Sequence, residues 1–313
     1  MNKSQQKEVN EQLRKEDSRI AELIAETLKA QADEIKEIAV LKKGMTNRSF
    51  LFTYHGIQYI MRIPGEGTGQ LINRRQEYEV YEAIKGLGIG DDIFYFNYEN
   101  GYKITEYMQN ARTCNPNRAE DVQKCMKCLR RFHETGLEVK HVFDLYKQIE
   151  FYEELWKGEP SFYCDYKETK ENVYLLKSYI EAQPRNWTLT HIDAVPDNFL
   201  FVDRGQEKEE IRLLDWEYAG MQDPHVDIAM FAIYAMYDRK QADDLIDAYF
   251  QEGCSCAERR KIYCYIAVCG LLWSNWCEYK RRLGVEFGEY SRRQYEYAKE
   301  YYQIMQQEFE KGV

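Results

Sequence analysis

The chain is short of several things, and each shortage removes a class of protein. It has 6 prolines in 313 residues and is 44% hydrophobic, so it is not a low-complexity or disordered chain. It lacks a long apolar run. The most apolar stretch, Ile228 to Tyr237, is far short of the roughly 20 residues a membrane helix needs, so no membrane insertion is expected. Residues 1–17 are polar and lack the apolar core of a secretory leader. Basic excess is missing too. A net charge of -10 argues against a nucleic-acid partner. Nine cysteines, an odd number, without a leader point to free thiols in a reducing cytoplasm. Cys125-x-x-Cys128 and Cys254-x-Cys256 have a zinc-like look. The first pair falls on an expected helix, however, and no second pair stands at finger spacing, so no thiolate metal site is expected.

What is present is one dense stretch, Thr190-His191-Ile192-Asp193-Ala194-Val195-Pro196-Asp197-Asn198-Phe199-Leu200, followed by Leu213-Leu214-Asp215-Trp216-Glu217. Phosphoryl transfer from ATP needs a carboxylate near the acceptor hydroxyl and oxygen ligands for Mg²⁺. Asp193 can be that carboxylate. Asn198, five residues on, and Asp215, at the end of the next apolar run, can be the ligands. The spacing H-x-D-x-x-x-x-N is that of a kinase catalytic loop. Apolar Phe199 to Val202, a polar turn and apolar Ile211 to Leu214 read as a hairpin, which puts Asp215 at a strand mouth.

These residues, with Ile211-Arg212-Leu213-Leu214-Asp215-Trp216-Glu217-Tyr218-Ala219-Gly220 and its continuation to Phe231, resemble the choline/ethanolamine kinase family, and within it the bacterial choline kinases. The resemblance covers about residues 36 to 300. It implies an α+β, two-lobed protein-kinase-like fold with an antiparallel sheet N-lobe and a mainly helical C-lobe. The expected division is a packing helix over 1–35, an ATP-binding N-lobe over 36–108, and a C-lobe over 109–313. The C-lobe would carry the catalytic loop, the metal site and the acceptor pocket. A cytoplasmic enzyme using ATP and Mg²⁺ follows.

In chain order, Leu13, Ile20, Leu23, Ile24 and Leu28 recur at helical spacing. Residues 36–107 alternate as strands, and Asn100-Gly101 is a hairpin signal. Where a protein kinase carries a glycine-rich loop, this chain has one Gly followed by Thr46, Asn47 and Ser49. Backbone N–H groups and small polar side chains can cradle phosphates there. By the resemblance, Arg62 on the third strand grips the phosphates, which suits a bidentate guanidinium. Glu77 on the following helix pairs with it, and backbone groups around Glu106 to Met108 meet adenine. His191 is expected to bond backbone near Asp215 and brace the loop. Asp227 is expected to open a helix Ile228 to Tyr237 and cap it; by the resemblance it braces the catalytic loop.

Trp273 and Trp276, three apart, share a helix face. Glu286-Phe287-Gly288-Glu289-Tyr290 follows. A quaternary ammonium carries its charge on methyl groups and is held by aromatic faces. The family has a similar W-x-x-W and E-F-G, so Trp273, Trp276, Phe287 and Tyr290, with Glu217, are the expected choline pocket. Ethanolamine, thiamine or an aminoglycoside as acceptor is the alternative within the superfamily. A primary ammonium calls for carboxylates and carbonyls more than an indole wall. An inactive kinase-like ATP-binding module is the alternative of another class, and the presence of Asp193, Asn198 and Asp215 argues against it. A protein kinase is set aside, because Asp215-Trp216-Glu217 stands in place of D-F-G and no A-P-E follows.

Overall fold

The computed structural model describes residues 18–43, 47–65, 71–205 and 209–310. Thr46, the first part of the expected N-terminal helix and most of the loop after Pro64 lie outside them. The chain divides into two compact units, residues 1–110 and 111–313.

In the first unit a helix over residues 18–28 precedes strands β1 (Lys36–Lys43), β2 (Asn47–Tyr54) and β3 (Ile57–Pro64). Helix α2 (Arg74–Ile84) and strands β4 (Ile93–Asn97) and β5 (Tyr102–Glu106) follow. The five strands make one antiparallel sheet in the order β1-β2-β3-β5-β4. Alternation works as expected of a half-buried sheet. Phe50 and Phe52 of β2, Tyr59 and Met61 of β3 and Ile104 of β5 turn to one face, where Ile20, Ile24 and Ala25 cover them. The helical spacing read from the sequence is therefore a packing stripe.

The second unit is mainly helical. Strand β6 (Ala111–Thr113) leads to helices α3 (Ala119–His133), α4 (Leu145–Leu155) and α5 (Tyr166–Ala182). Strands β7 (Thr188–Thr190), β8 (Phe199–Asp203), β9 (Glu209–Leu213) and β10 (Gly220–Gln222) carry the central segment. Helices α6 (His225–Tyr234), α7 (Arg239–Tyr249), α8 (Cys256–Arg282) and α9 (Glu289–Glu310) complete it. β8 and β9 form the expected hairpin, with β6 on its outer edge, while β10 pairs with β7.

The centre of this unit is α8, which packs on α4, α5, α6 and α9. Ser255 and Glu258 form a reciprocal capping box at its start. Lys280, Arg281 and Arg282 in its last turn complement the helix dipole. Gly270 is where α9 crosses: a Cβ there would lie 2.7 Å from the Gln294 carbonyl oxygen and 2.9 Å from the Tyr297 Cβ. That close approach holds the start of α9 against the second half of α8. Among the described residues no helix is long and apolar enough to cross a membrane.

Candidate active site

The loop from β7 to β8 is held by a carboxylate from α6. Asp227 accepts the backbone N–H groups of His191 at 3.0 Å and Ile192 at 2.7 Å. It also accepts Nε2–H of His133 from α3 at 2.9 Å. Charge-assisted bonds of this kind are about twice as strong as neutral ones, and here they hold a strained backbone. Ile192 has φ 72°, the left-handed region that costs a β-branched residue on the order of 1–3 kcal/mol. Asp227 does not cap the helix. α6 begins at His225, three residues earlier than expected, and the carboxylate of Asp223 accepts the His225 N–H at 3.0 Å.

His191 itself points the other way. Its Nε2 donates to the Leu214 carbonyl at 2.9 Å, and since a carbonyl only accepts, Nε2 carries the proton. Its ring packs edge-on against Trp216, 4.5 Å between centroids. Trp216 is fully buried, donates from Nε1 to the Leu213 carbonyl at 2.7 Å and rests on Phe132. His191 thus links the loop to the end of β9. The Leu214 N–H closes the link with a 2.8 Å bond to the Asn198 carbonyl.

This bracing brings Asp193, Asn198 and Asp215 together. Asn198 Nδ2 donates to the Asp193 carbonyl at 2.8 Å and to its carboxylate at 3.2 Å, which leaves its Oδ1 as the acceptor face. Asp215, at φ 68° and ψ 62°, is a second left-handed non-glycine residue in the site. Burial, then the charges of Asp215 and Glu217, push the Asp193 carboxyl up to about 8, against the Asn198 hydrogen bond. A carboxylate raised by its neighbours marks a place where negative charge lacks compensation. Hard oxygen donors of this kind suit Mg²⁺, which keeps several waters or phosphate oxygens and needs only one or two protein ligands. Among the described residues there is no cluster of three or more His, Cys, Asp or Glu that could hold a metal ion.

Beside this cluster runs a continuous aromatic chain. Tyr218 meets Trp273 edge-on at 5.7 Å, Trp273 meets Trp276 at 5.6 Å, and Trp276 meets Phe287 at 5.0 Å. Phe287 meets Tyr290 at 6.3 Å and Tyr290 meets Tyr234 at 5.9 Å. The helices set this up. Trp273 Nε1 is fixed on the Met230 sulfur of α6 at 2.9 Å. The fully buried Gln294 of α9 donates to the Ile233 carbonyl at 3.0 Å, which lays Tyr290, one turn earlier, beside Tyr234. Burial is the main cause that raises the hydroxyls of Tyr218, Tyr234 and Tyr290, and the charge of Asp193 contributes to all three. The aromatic chain therefore lies within electrostatic reach of the Asp193 carboxylate.

The first unit carries a separate charged cluster. Ser49 of β2, Arg62 of β3 and Lys103 of β5 stand opposite one another across three strands, so their side chains share one face. Glu77 of α2 is 2% exposed. Its carboxylate reaches Arg74 at 2.8 Å and Lys103 at 3.0 Å. Burial pushes its pKa up, but Lys103, Arg62 and Arg74 together hold it below the usual carboxylate range. The pairing expected with Arg62 alone is thus shared among three cations. Asn47 accepts from Arg74 at 3.4 Å. At the end of β5 the Glu106 N–H is committed to the Asp92 carbonyl and the Tyr107 N–H to Gln58. Of the backbone donors expected to meet adenine, the Met108 N–H is the one with no backbone partner among the described residues.

A model of the choline/ethanolamine kinases matches residues 38–267. The chain belongs to the choline/ethanolamine kinase family. It is an ATP-dependent small-molecule kinase with the protein-kinase-like fold. It is 26% identical over 264 residues to Protein LicA of Haemophilus influenzae, covering 79% of this chain and 75% of the relative. The crystal structure of choline kinase LicA from Streptococcus pneumoniae superposes with a TM-score of 0.78 at 28% identity, covering 92% of this chain and all of that one. A structure of LicA in complex with AMP gives 0.77 at 27% identity, covering 92% and 98% of the two chains.

Sequence reasoning missed several residues of this kinase's site. Lys103 stands on a strand, where lysine ordinarily faces water. Tyr234 carries no local pattern that marks it. Tyr218 was signalled only by its place after Glu217. Trp216 was read as part of a motif, whereas its work is to seat His191.

Proposed function

We propose that the acceptor is choline and the product phosphocholine. The observation that carries this reading is the aromatic chain Tyr218–Trp273–Trp276–Phe287–Tyr290–Tyr234 beside Asp193. A trimethylammonium group needs aromatic faces and a nearby negative charge, and has no N–H to donate. Glu217, whose charge reaches Asp193, supplies that charge without a hydrogen bond. The similarity to a choline kinase from Streptococcus pneumoniae supports the same acceptor.

Asp193 orients the choline hydroxyl and takes its proton as the oxygen attacks the γ-phosphorus. Its high pKa belongs to the free site. The positive charge of a cationic acceptor, and of Mg²⁺ held by Asn198 and Asp215, would lower it, so the base would become available when both substrates are present. Asn198 and Asp215 would hold Mg²⁺, which when bound neutralises charge on the transferring phosphate. Residues 36–108 bind the nucleotide. Arg62, in the field of Glu77, together with Thr46, Asn47 and Ser49, takes the phosphates, and backbone around Glu106 to Met108 takes adenine. Residues 109–313 carry the chemistry and the acceptor.

The test is ADP release from MgATP with choline, ethanolamine, thiamine and kanamycin as separate acceptors, with Asp193→Ala as the blank. Turnover selective for choline is expected. Selective turnover of a primary amine would keep the kinase and discard the choline pocket.

A further inference from the structure

The last turn of α8 carries three basic residues, and they behave differently. Arg281 pairs with Glu278 at 3.2 Å. Arg282 pairs with Glu159 and donates to the Pro160 carbonyl at 2.9 Å. Both are ordinary partners for a helix C-terminus. Lys280 turns inward. It is 5% exposed, and its ammonium makes no hydrogen bond or ion pair among the described residues. Its ammonium lies over the Trp276 ring, 5.4 Å from the centroid, and 6.0 Å from the Tyr279 centroid. Burial lowers its pKa, and the charge of Glu217 is what opposes that.

An ammonium held over an indole on a side chain that is largely covered gives up part of its hydration, and helix-dipole complementation does not require that placement. The side chain stays where an indole face and a carboxylate field are available. These are also the two features that recognise a quaternary ammonium. Trp276, which lies under this ammonium, packs between Trp273 and Phe287 in the aromatic chain, so this cation sits at the acceptor end of the site. We propose that Lys280 is a specificity-determining residue of the acceptor pocket: its ammonium rests on Trp276 as a resident cation in the free enzyme, and a cationic acceptor must displace it. The inference rests on the aromatic chain being the acceptor site. It goes beyond that reading by giving the free pocket an occupant. An acceptor that restores the cation–π contact offsets the loss of Lys280's own, whereas a neutral alcohol displaces the lysine and restores nothing.

The test compares Lys280→Met, Lys280→Gln and Lys280→Arg in the full chain. Removing the resident charge should lower the choline KM about five- to tenfold in both neutral variants, within the range of a partly desolvated cation–π contact. Their ATP KM and kcat should stay within about twofold. Lys280→Arg keeps a cation on the indole and should keep the wild-type KM. Tetramethylammonium, titrated by quenching of tryptophan fluorescence, should bind Lys280→Met more tightly than wild type by a similar factor. A choline KM that is unchanged or raised in Lys280→Met and Lys280→Gln, with tetramethylammonium still binding wild type, overturns the role of Lys280 and leaves the acceptor reading intact. If wild type neither turns over choline nor binds tetramethylammonium, the acceptor reading fails and the inference falls with it.

Discussion

Glu77 is buried and Asp193 partly buried, one in each unit, and their surroundings drive them in opposite directions. Burial raises the pKa of either. Around Glu77 the neighbours are Lys103, Arg62 and Arg74, and the carboxyl ends below its usual range. Around Asp193 they are Asp215 and Glu217, and it ends at about 8. The difference lies in which charges the fold supplies. The cluster in the first unit sets three cations around one carboxylate, which ties a strand to a helix. No cation is among the groups that shift Asp193, so the free site stores repulsion that a bound cation would relieve.

The largest effect that tests this comparison is on turnover. Asp193→Asn keeps the shape but removes the proton acceptor, and should lower kcat by a factor of about a thousand or more. MgATP affinity, measured by calorimetry, should stay within about threefold. Loss of nucleotide binding in step with turnover would place Asp193 among the nucleotide ligands and dissolve the contrast with Glu77.

The next effect is on stability, and here the two amide substitutions should have opposite signs. Glu77→Gln removes the carboxylate charge that Lys103 and Arg74 share and should cost about 3 kcal/mol. Asp193→Asn removes a repelled charge and should stabilise the metal-free protein by about 1–2 kcal/mol at pH 8. The pH windows differ as well. The folded pKa of Glu77 is lowered, so its contribution is present above the unfolded value and is lost as pH falls through the folded one. The folded pKa of Asp193 is raised, so its contribution is full below 3.8 and is lost as pH rises towards about 8. Thermal midpoints of the three proteins from pH 2 to 9 read this directly. A destabilised Asp193→Asn would contradict the account of its neighbours.

Much of this was legible in the sequence, for reasons that can be named. The loop His191 to Asn198 and the strand end at Asp215 were legible because their chemistry fixes residue types at fixed spacing. The Trp273–Trp276 pair was legible because helix geometry puts i and i+3 on one face. The strand alternation of the first unit follows from its one-sided burial. Three things were hidden. Local spacing alone reads Asp227 as a cap, because caps and buried brackets use the same residue; only the resemblance pointed to a brace on the loop, where the fold puts it. Only the fold brings His133 to it. The burial of Lys103 and Lys280 was not legible, since local sequence carries no sign that a lysine is covered. The direct pairing of Glu77 with Lys103 depends on β5 lying next to β3, a neighbour set by topology rather than by chain order.

The most direct measurement of the central claim, that the aromatic chain beside Asp193 is the choline site, is the pair of KM values in Trp273→Ala. The account predicts a choline KM raised at least about tenfold, the equivalent of losing one good cation–π face, while the ATP KM stays within about twofold. Equal rises in both would contradict it, because they would mean that the indole supports the site as a whole rather than the acceptor's charge.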